Sequence, residues 1–319
     1  MKKIGIYLAS LALCIWLLPV TAGAAECLVP VGQVVGLELR NGTVTVAALE
    51  DPPDGAAKAA GVQVGDVLLA VDGREVKSGE DVRRALSQSK GSVTLTLRRQ
   101  GEEMTVRLAP QITEDGPKLG IFLRQGVTGI GTVTWYDPEE KTFGTLGHGV
   151  NDGMGALVDI TGGEAYRARV VAVKKGKAGT PGQLLGTVED LTPIGQVRSN
   201  TDRGVFGNSD EGWQGSAMEL GEAKTGKATI LSTVSGNTVR EYSVEILKIY
   251  PKSRQTGRNM LIRVTDPALL EATGGIVQGM SGSPIIQDGK LIGAVTHVLV
   301  NDPTTGYGIF IENMLDAAA

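Results

Sequence analysis

The hydrophobic positions of this chain recur with the period of short β-strands, and tight turns separate the strands. Between residues 30 and 110 the pattern predicts the order strand, strand, short helix, strand, helix, strand, strand. The longer helix is expected from Gly79 to Ser89, with Ser78 as its N-cap. Beyond Gly116 about nine further short strands alternate with Gly-, Asn- and Asp-containing turns, which predicts an antiparallel barrel or a pair of barrels.

The most specific stretch of the first region is residues 60–73, Ala-Gly-Val-Gln-Val-Gly-Asp-Val-Leu-Leu-Ala-Val-Asp-Gly. With this order of elements the region resembles a PDZ domain, a module that binds an extended peptide as an added strand. The resemblance places the binding edge at residues 33–39 and the carboxylate-binding loop at residues 32–37. The expected peptide-binding residues are Gln33, Val34, Val35, Gly36 and Leu37. The alternative is that Val34, Val35 and Leu37 are simply core residues.

The beginning of the chain has the pattern of an export segment. A cationic start at residues 1–3 precedes an uncharged apolar run at residues 4–20, and small residues follow. Cleavage is expected after Ala24, and an uncleaved membrane anchor is the alternative. With a seam near Gly116, the predicted organisation is a signal peptide or anchor at 1–24, a PDZ domain at 25–112 and a second domain at 113–319.

The composition narrows the class of protein. The chain has 319 residues, of which 45 are Gly and 41% are hydrophobic, so disorder, collagen and coiled coil are excluded. The formal net charge of −4 indicates no basic face, and nucleic acid is not an expected partner. Because there are only two Cys and two His, the sequence offers neither a disulfide framework nor a thiolate zinc site, and no metal or cofactor is expected.

The strongest local signal is a glycine-rich loop at residues 274–286 that enters an apolar strand. The Gly-X-Ser-Gly-X-Pro pattern around Ser281 is typical of the nucleophile of a trypsin-like serine peptidase. In such a loop the backbone N–H groups of Gly279 and Ser281 can form an oxyanion hole. Ser281 is favoured over Ser283 as the nucleophile. The alternative for the whole loop is a glycine-rich hairpin at a barrel corner.

A serine nucleophile needs a base, and only His148 and His297 can supply an imidazole. His148 lies between two glycines at the end of a short strand and is the expected base, whereas His297 is expected as a packed strand residue or a substrate contact. Asp266 is a candidate for the acid that orients the imidazole, but an Asp before Pro267 is also typical of a helix N-cap. Its rivals are Asp152, Asp159 and Asp302.

Taken in chain order, these motifs resemble the stage IV sporulation protein B (SpoIVB) family of serine peptidases. The resemblance rests on a PDZ domain that precedes Gly147-His148, Thr265-Asp266-Pro267, the loop at 274–286 and Gly293-Ala294-Val295-Thr296-His297-Val298. Through it, the family's catalytic histidine, aspartate and serine fall on His148, Asp266 and Ser281. The implied fold is mainly β: an N-terminal PDZ domain followed by a trypsin-like antiparallel β-barrel serine peptidase domain.

The resemblance also implies a role in sporulation signalling, in the space between the forespore and mother-cell membranes. The expected activity is that of an exported serine endopeptidase that cleaves the extracytoplasmic region of a membrane-bound regulator, which activates an intramembrane protease and late sigma-factor processing. Further expected partners are a peptide ligand of the PDZ domain and the protein's own N-terminal segment, with residues 25–31 as a self-cleavage site. The alternatives are a non-catalytic exported PDZ scaffold and a general quality-control serine protease.

Overall fold

The computed structural model describes residues 27–51, 56–114, 116–152, 155–253 and 257–319. The predicted export segment at residues 1–24 and its cleavage site after Ala24 lie outside these residues, as does Asp115 at the predicted seam. In the described part of the chain, no helix is long and apolar enough to cross a membrane.

Strands dominate the secondary structure. In the described residues the strands are β1 Cys27–Pro30, β2 Val34–Leu49, β3 Val67–Val71, β4 Arg74–Glu75, β5 Val93–Arg99, β6 Glu102–Leu108, β7 Gln111–Thr113, β8 Gly116–Lys118, β9 Ile121–Asp137, β10 Thr142–Thr145, β11 Gly162–Lys174, β12 Gln183–Thr201, β13 Gly204–Asn208, β14 Met218–Glu219, β15 Gly226–Ser232, β16 Arg240–Ile249, β17 Met260–Val264, β18 Pro284–Gln287, β19 Lys290–Leu299 and β20 Asp302–Phe310. The helices are α1 Ala56–Ala59, α2 Gly79–Gln88, α3 Pro267–Thr273 and α4 Ile311–Ala318. The predicted helix at 79–89 is α2, and its predicted cap is confirmed because Ser78 Oγ accepts a hydrogen bond from Asp81 N at 3.0 Å.

Two closed antiparallel barrels contain the peptidase core, as the recurring short strands predicted. The first closes in the order β2, β9, β10, β13, β12, β11, because β11 pairs back to β2. The second closes in the order β15, β16, β17, β20, β19, β18. Fully buried apolar side chains fill both, such as Phe143 and Val205 in the first and Ile230 and Ile262 in the second. This pair of six-stranded barrels is the expected trypsin-like fold.

The PDZ domain is inserted into the first barrel rather than placed before it. Strands β2 and β9 run through both domains: residues 34–39 pair with residues 127–132 in the barrel, and residues 44–49 pair with residues 121–125 in the PDZ domain. The ladder is interrupted between these two parts. The structure therefore divides the chain differently from the predicted domains 25–112 and 113–319, because residues 27–39 already belong to the peptidase barrel.

The strand that was expected to bind a peptide has no free edge. Residues 34–39 pair with β9, and residues 35–40 pair with β11 on the other side. Val34 and Val35 are fully buried, and the carbonyl of Gln33 accepts a hydrogen bond from Val133 N. The prediction of a peptide site at Gln33, Val34, Val35, Gly36 and Leu37 is therefore wrong. The core alternative is the correct one, because closure of the barrel uses both edges of this strand.

The first described strand, β1, is also part of the peptidase. It pairs with β9 on one side and with β14 on the other, and Leu28 is fully buried. The chain then passes between the barrels, where the carbonyl of Gly32 accepts a hydrogen bond from Thr233 Oγ1 at 3.0 Å. Residues 28–31 are therefore buried or half-buried in the barrel and are not the accessible self-cleavage site that the sequence suggested.

We predict that the junction between the two domains depends on the absence of a side chain at Gly126. Gly126 has a φ of +63°, and a Cβ there would overlap the carbonyl oxygen of Leu39 on the neighbouring strand. Gly101 also has a positive φ, +90°, but no atom lies within 4 Å of a Cβ built there. Gly101→Ala should lower the free energy of unfolding by about 1 kcal/mol, and Gly126→Ala by at least about 3 kcal/mol.

Urea unfolding followed by fluorescence tests this difference, because Trp135 and Trp213 both lie in the first barrel. Gly101→Ala is the matched control, since it carries the same backbone strain without the overlap. Equal losses in the two variants would show that the junction accepts a side chain.

Candidate active site

Ser281 lies where the two barrels meet, at the turn that precedes β18. The side chain is half-buried, above the fully buried Met280. The turn has left-handed backbone at Gly279 and Gly282, with φ of +97° and +96°, a region that favours glycine. Ser283 is fully buried, and its Oγ donates to Ser232 Oγ at 3.0 Å. Of the two serines, only Ser281 is therefore positioned to meet a substrate.

The backbone of this turn leaves two donors unengaged. The N–H groups of Met280, Gly282 and Ser283 donate to carbonyls in and around the turn. Among the hydrogen bonds of the described residues, the N–H groups of Gly279 and Ser281 donate to none. Two free N–H groups that flank a serine hydroxyl can hold the oxyanion of a tetrahedral intermediate. The oxyanion role of Gly279 and Ser281 stays a prediction, and their N–H groups are available for it.

Two threonines of β9 hold the nucleophile turn in place. Thr132 N donates to the carbonyl of Ser281 at 3.1 Å, and Thr132 Oγ1 donates to the carbonyl of Gly279 at 2.8 Å. Thr134 Oγ1 donates to the carbonyl of Gly282 at 2.8 Å. Both threonines are fully buried. The turn of the second barrel is therefore fixed by a strand of the first. Sequence analysis missed this pair, although two hydroxyls on one face of an otherwise apolar strand are a signal of a buried polar contact.

His148 follows β10 on a short segment of unusual backbone. Leu146 and Gly147 both have positive φ, +69° and +68°, and Gly147 packs so closely that a Cβ would lie 2.8 Å from the side chain of Thr296. Asn200 holds the next turn: its Oδ1 accepts from Val150 N, and its Nδ2 donates to the carbonyl of Val150, both at 2.8 Å. These contacts place His148 at the boundary with the second barrel, where Gly147 packs against Thr296 of β19.

The environment of His148 suits a general base. Its Nδ1 lies 2.9 Å from the carbonyl oxygen of Gly149, which can only accept, so Nδ1 carries the proton and Nε2 is free to take one. Burial lowers the pKa of His148, and the bond to Gly149 opposes that effect only in part. The ring is therefore neutral near pH 7, as a base must be before it accepts a proton.

Asp266 does not join this group. One of its carboxylate oxygens accepts from Leu269 N at 3.0 Å, and the other from Ser243 N at 3.3 Å. It is the N-cap of α3, with Pro267 at the first helical position. The structure thus places it as the cap that Asp-Pro also indicated, and the groups that shift the pKa of His148 include no carboxylate.

The rival acids are likewise engaged away from the imidazole or exposed. Asp302 accepts from Thr304 and Thr305 in its own turn, and Asp152 accepts from Ala156 N. Asp159 is exposed. The structure instead brings His297 close, with its ring centroid 5.1 Å from that of His148. The preceding residue, Thr296, provides the carbonyl that accepts from Ser281 Oγ at 2.7 Å. The site is therefore formed by Ser281, His148 and His297.

A peptide groove does exist in the PDZ domain, at another strand. Residues 121–125 pair with β2 on one edge, and among the described strands nothing pairs with their other edge, which faces α2. The groove between them has a volume of about 310 Å³ and is lined by Val82 and Leu86 of the helix and by Ile121 of the strand. Phe122 is 56% exposed. This open edge has the geometry for strand addition that residues 33–39 lack.

Two family models match this chain. The model of the SpoIVB peptidase S55 family matches residues 115–315, and a PDZ domain model matches residues 53–99. The chain belongs to the SpoIVB peptidase S55 family. The family match contains His148, Asp266 and Ser281, and it supports a serine peptidase. It begins after β1 and the barrel part of β2, although the structure needs these strands to close the first barrel.

Other similarities cover only part of this S55 peptidase. It is 30% identical over 142 residues to a DegP-like periplasmic serine endoprotease of Pseudomonas fluorescens, which is 40% of this chain and 29% of the relative. It is 40% identical over 81 residues to a protein named as a zinc metalloprotease of Rhizobium meliloti, 25% of this chain and 22% of the relative. The chain thus spans about a quarter of the length of the curated relatives it matches.

Two solved structures are also similar. The Rv3671c protease in its inactive form aligns with 60% of this chain and 82% of its own, at 15% identity and a TM-score of 0.34. The PDZ domain of an SdrC-like protein from Listeria monocytogenes aligns with 27% of this chain and 92% of its own, at 20% identity and a TM-score of 0.23.

We predict that Asp266 of this S55 peptidase acts through the helix cap and not through the imidazole. Asp266→Asn keeps an acceptor for Leu269 N, so it should retain activity within about twofold and lose little stability. Asp266→Ala removes the cap and should cost about 1 kcal/mol of unfolding free energy. An acid that orients a catalytic histidine behaves differently, because its replacement by Asn reduces turnover by about 10⁴-fold.

Turnover of a peptide substrate and urea unfolding, measured on both variants, separate these roles. A loss of several orders of magnitude in Asp266→Asn, with unchanged stability, would restore Asp266 to the catalytic group.

Proposed function

We propose that this S55 peptidase is an exported serine endopeptidase in which Ser281 is the nucleophile and His148 is the base. The observation that carries the proposal is the pair of unengaged N–H groups at Gly279 and Ser281, next to a half-buried hydroxyl that donates to the carbonyl of Thr296. The following residue, His297, places its ring 5.1 Å from that of His148, whose imidazole is neutral near pH 7. A catalytically inactive scaffold would need none of these features. In a triad the third residue orients the imidazole and fixes its tautomer. Here the carbonyl of Gly149 has that role for His148.

The chemistry follows from the position of each atom. Ser281 Oγ attacks the scissile carbonyl while His148 Nε2 takes its proton, and the negative oxygen that forms is held by the N–H groups of Gly279 and Ser281. His148 then gives the proton to the leaving amine, which breaks the peptide bond and leaves an acyl-enzyme. A water molecule, activated by the same imidazole, releases the acid and restores the serine.

The described state is a resting one. Ser281 Oγ donates its proton to the carbonyl of Thr296 at 2.7 Å, and a hydroxyl has only one proton to donate. The hydroxyl must therefore turn from Thr296 towards His148 before it can attack.

The biological role we propose is cleavage of the extracytoplasmic region of a membrane-bound regulator, in sporulation signalling between the forespore and mother-cell membranes. Family membership and the predicted export segment support this role, which includes activation of an intramembrane protease and late sigma-factor processing. Self-cleavage is part of the proposal, with the cut placed before Cys27 because residues 28–31 are buried or half-buried in the barrel.

The PDZ domain is proposed to restrain the peptidase by holding an extended peptide on the open edge at residues 121–125. The same strand continues to Thr132 and Thr134, which hold the nucleophile turn. A peptide added to β9 therefore stiffens a strand that ends on the carbonyls of Gly279, Ser281 and Gly282. The protein's own N-terminal segment is the proposed peptide.

We predict that Ser281→Ala abolishes cleavage and leaves the fold intact. Without Oγ no acyl-enzyme forms, and loss of such a nucleophile reduces turnover by about 10⁶-fold. Ser283→Ala is the matched control: it removes a neighbouring hydroxyl that is buried against Ser232, so the activity should persist. The measurements are covalent labelling by a fluorophosphonate and hydrolysis of a membrane-regulator ectodomain, compared with casein.

Labelling of Ser283 in place of Ser281 would show that the nucleophile is misassigned. Preferential hydrolysis of unfolded casein would favour general quality control over regulated cleavage.

We also predict that filling the PDZ groove accelerates self-cleavage. A tethered peptide has an effective concentration near 1 mM, so an affinity of about 100 µM would leave about a tenth of the molecules unrestrained. A Cβ at Gly79, the first residue of α2, would lie 3.8 Å from the side chain of Gln125, so a larger side chain can enter the groove there. Gly79→Tyr should shorten the half-time of self-cleavage by about tenfold.

Ser87→Tyr, on the exposed face of the same helix, is the control and should leave the half-time unchanged. The rate of fluorophosphonate labelling at Ser281 checks that each variant keeps an intact site. Identical time courses for Gly79→Tyr and wild type would remove the restraint from the proposal.

A further inference from the structure

A second group of polar side chains lies beside the catalytic histidine, and the mechanism does not use it. His297 pairs directly with Tyr307 across β19 and β20, so both side chains point to the same face of the barrel. The ring of His297 lies 5.1 Å from that of His148, and the guanidinium carbon of Arg258 lies 5.4 Å from the centroid of the Tyr307 ring. Arg258, Tyr307 and His297 therefore form a continuous wall that ends at His148.

Two nitrogen atoms in this wall are buried and have no hydrogen-bond partner among the described residues. Arg258 Nε and His297 Nδ1 are both inaccessible to solvent and have no hydrogen-bond partner. In the part of the chain that the structure describes, no carboxylate forms an ion pair with Arg258. The great majority of buried polar groups in proteins form hydrogen bonds, so two buried nitrogen atoms without a partner need an explanation. A polar group of a bound substrate that forms hydrogen bonds with both atoms provides that explanation.

The charge states of Arg258 and His297 indicate which class of substrate group would bind here. Arg258 is a permanent cation whose planar fork matches a carboxylate. Burial, followed by the positive charges of protonated His148 and of Arg258, lowers the pKa of His297 to about 4. His297 is therefore a neutral ring that can offer one N–H, and it lies near an arginine that forms no ion pair among the described residues. An acidic side chain would satisfy both.

We propose that Arg258 and His297 form a carboxylate-binding subsite, so that the peptidase prefers substrates with Glu or Asp close to the scissile bond. The inference rests on the proposed peptidase function and names its substrate class. Arg258 contributes the charge and most of the affinity. His297 contributes a hydrogen bond and fixes the carboxylate next to His148. Tyr307 positions the guanidinium through a cation–π contact with the face of its ring.

The test compares acidic and amide substrates in the full-length protein. Cleavage sites in a proteome-derived peptide library give the preference, and kcat and KM are then measured for the best peptide and for its Glu→Gln counterpart. Wild type should favour the acidic peptide by at least about tenfold in kcat/KM, through KM. Arg258→Gln should reduce that ratio to near one, and Arg263→Gln, an exposed arginine of the same barrel, should leave it unchanged.

A binding measurement separates this proposal from the peptidase function itself. The chain has only two histidines, so the imidazole NMR signals of Ser281→Ala report on His148 and His297 alone. Titration with acetyl-Ala-Ala-Glu-Ala-amide should shift the His297 signals, and the Gln counterpart should bind at least about tenfold more weakly. Rapid fluorophosphonate labelling with no acidic preference in either assay would overturn the subsite and leave the peptidase standing. Selective binding of the acidic peptide to a protein that is never labelled would support the subsite and refute the peptidase.

Discussion

Three hydrogen bonds from strand β9 to the nucleophile turn are the contacts on which the rest of the site depends. Thr132 and Thr134 belong to the first barrel, yet they hold carbonyls of the second barrel on each side of Ser281. The N–H groups of Gly279 and Ser281 share their peptide units with the carbonyls of Gln278 and Met280, which accept from Leu184 N and Ser283 N. Because the N–H and the C=O of a trans peptide unit point in opposite directions, both N–H groups point away from these partners. Their direction thus depends in part on a contact between the barrels, from Leu184 of β12 to Gln278.

The same strand connects the site to the PDZ domain. Only six residues separate Gln125, at the end of the open PDZ edge, from Thr132. Gly126 lies between the PDZ part and the barrel part of β9. Its φ of +63° and its close approach to Leu39 allow β9 to pair with β2 in one register on one side of this point and in another register on the other side. An inserted domain joined by two continuous strands cannot move independently of its host in the way that a domain on a flexible linker can. The open edge of the PDZ domain and the support of the nucleophile turn therefore lie on one continuous strand.

The hydrogen bond that orients the His148 imidazole is weaker than the one in a triad with a carboxylate. The carbonyl of Gly149 sets the tautomer of His148, but a neutral carbonyl stabilises the imidazolium less than an ionised acid does. Burial lowers the pKa of His148 further. Within the part of the chain that the structure describes, the site has no carboxylate of its own beside His148. A substrate carboxylate bound by Arg258 and His297, as proposed above, would bring a negative charge to this position.

The sequence by itself determined the fold class, the order of the motifs and the chemically active residue types. The period of the strands indicated the barrels, and the glycines around Ser281 indicated the turn, because both depend on local backbone geometry. Local signals could not show that residues 34–39 close a barrel instead of binding a peptide, since Val34 and Val35 fit either environment. They also could not decide between the two meanings of Asp266, or show that Thr132, Arg258 and Gly126 matter. Those outcomes depend on which strands become neighbours, and pairing between residues about a hundred positions apart is set by closure of the whole barrel, which no local window of sequence contains.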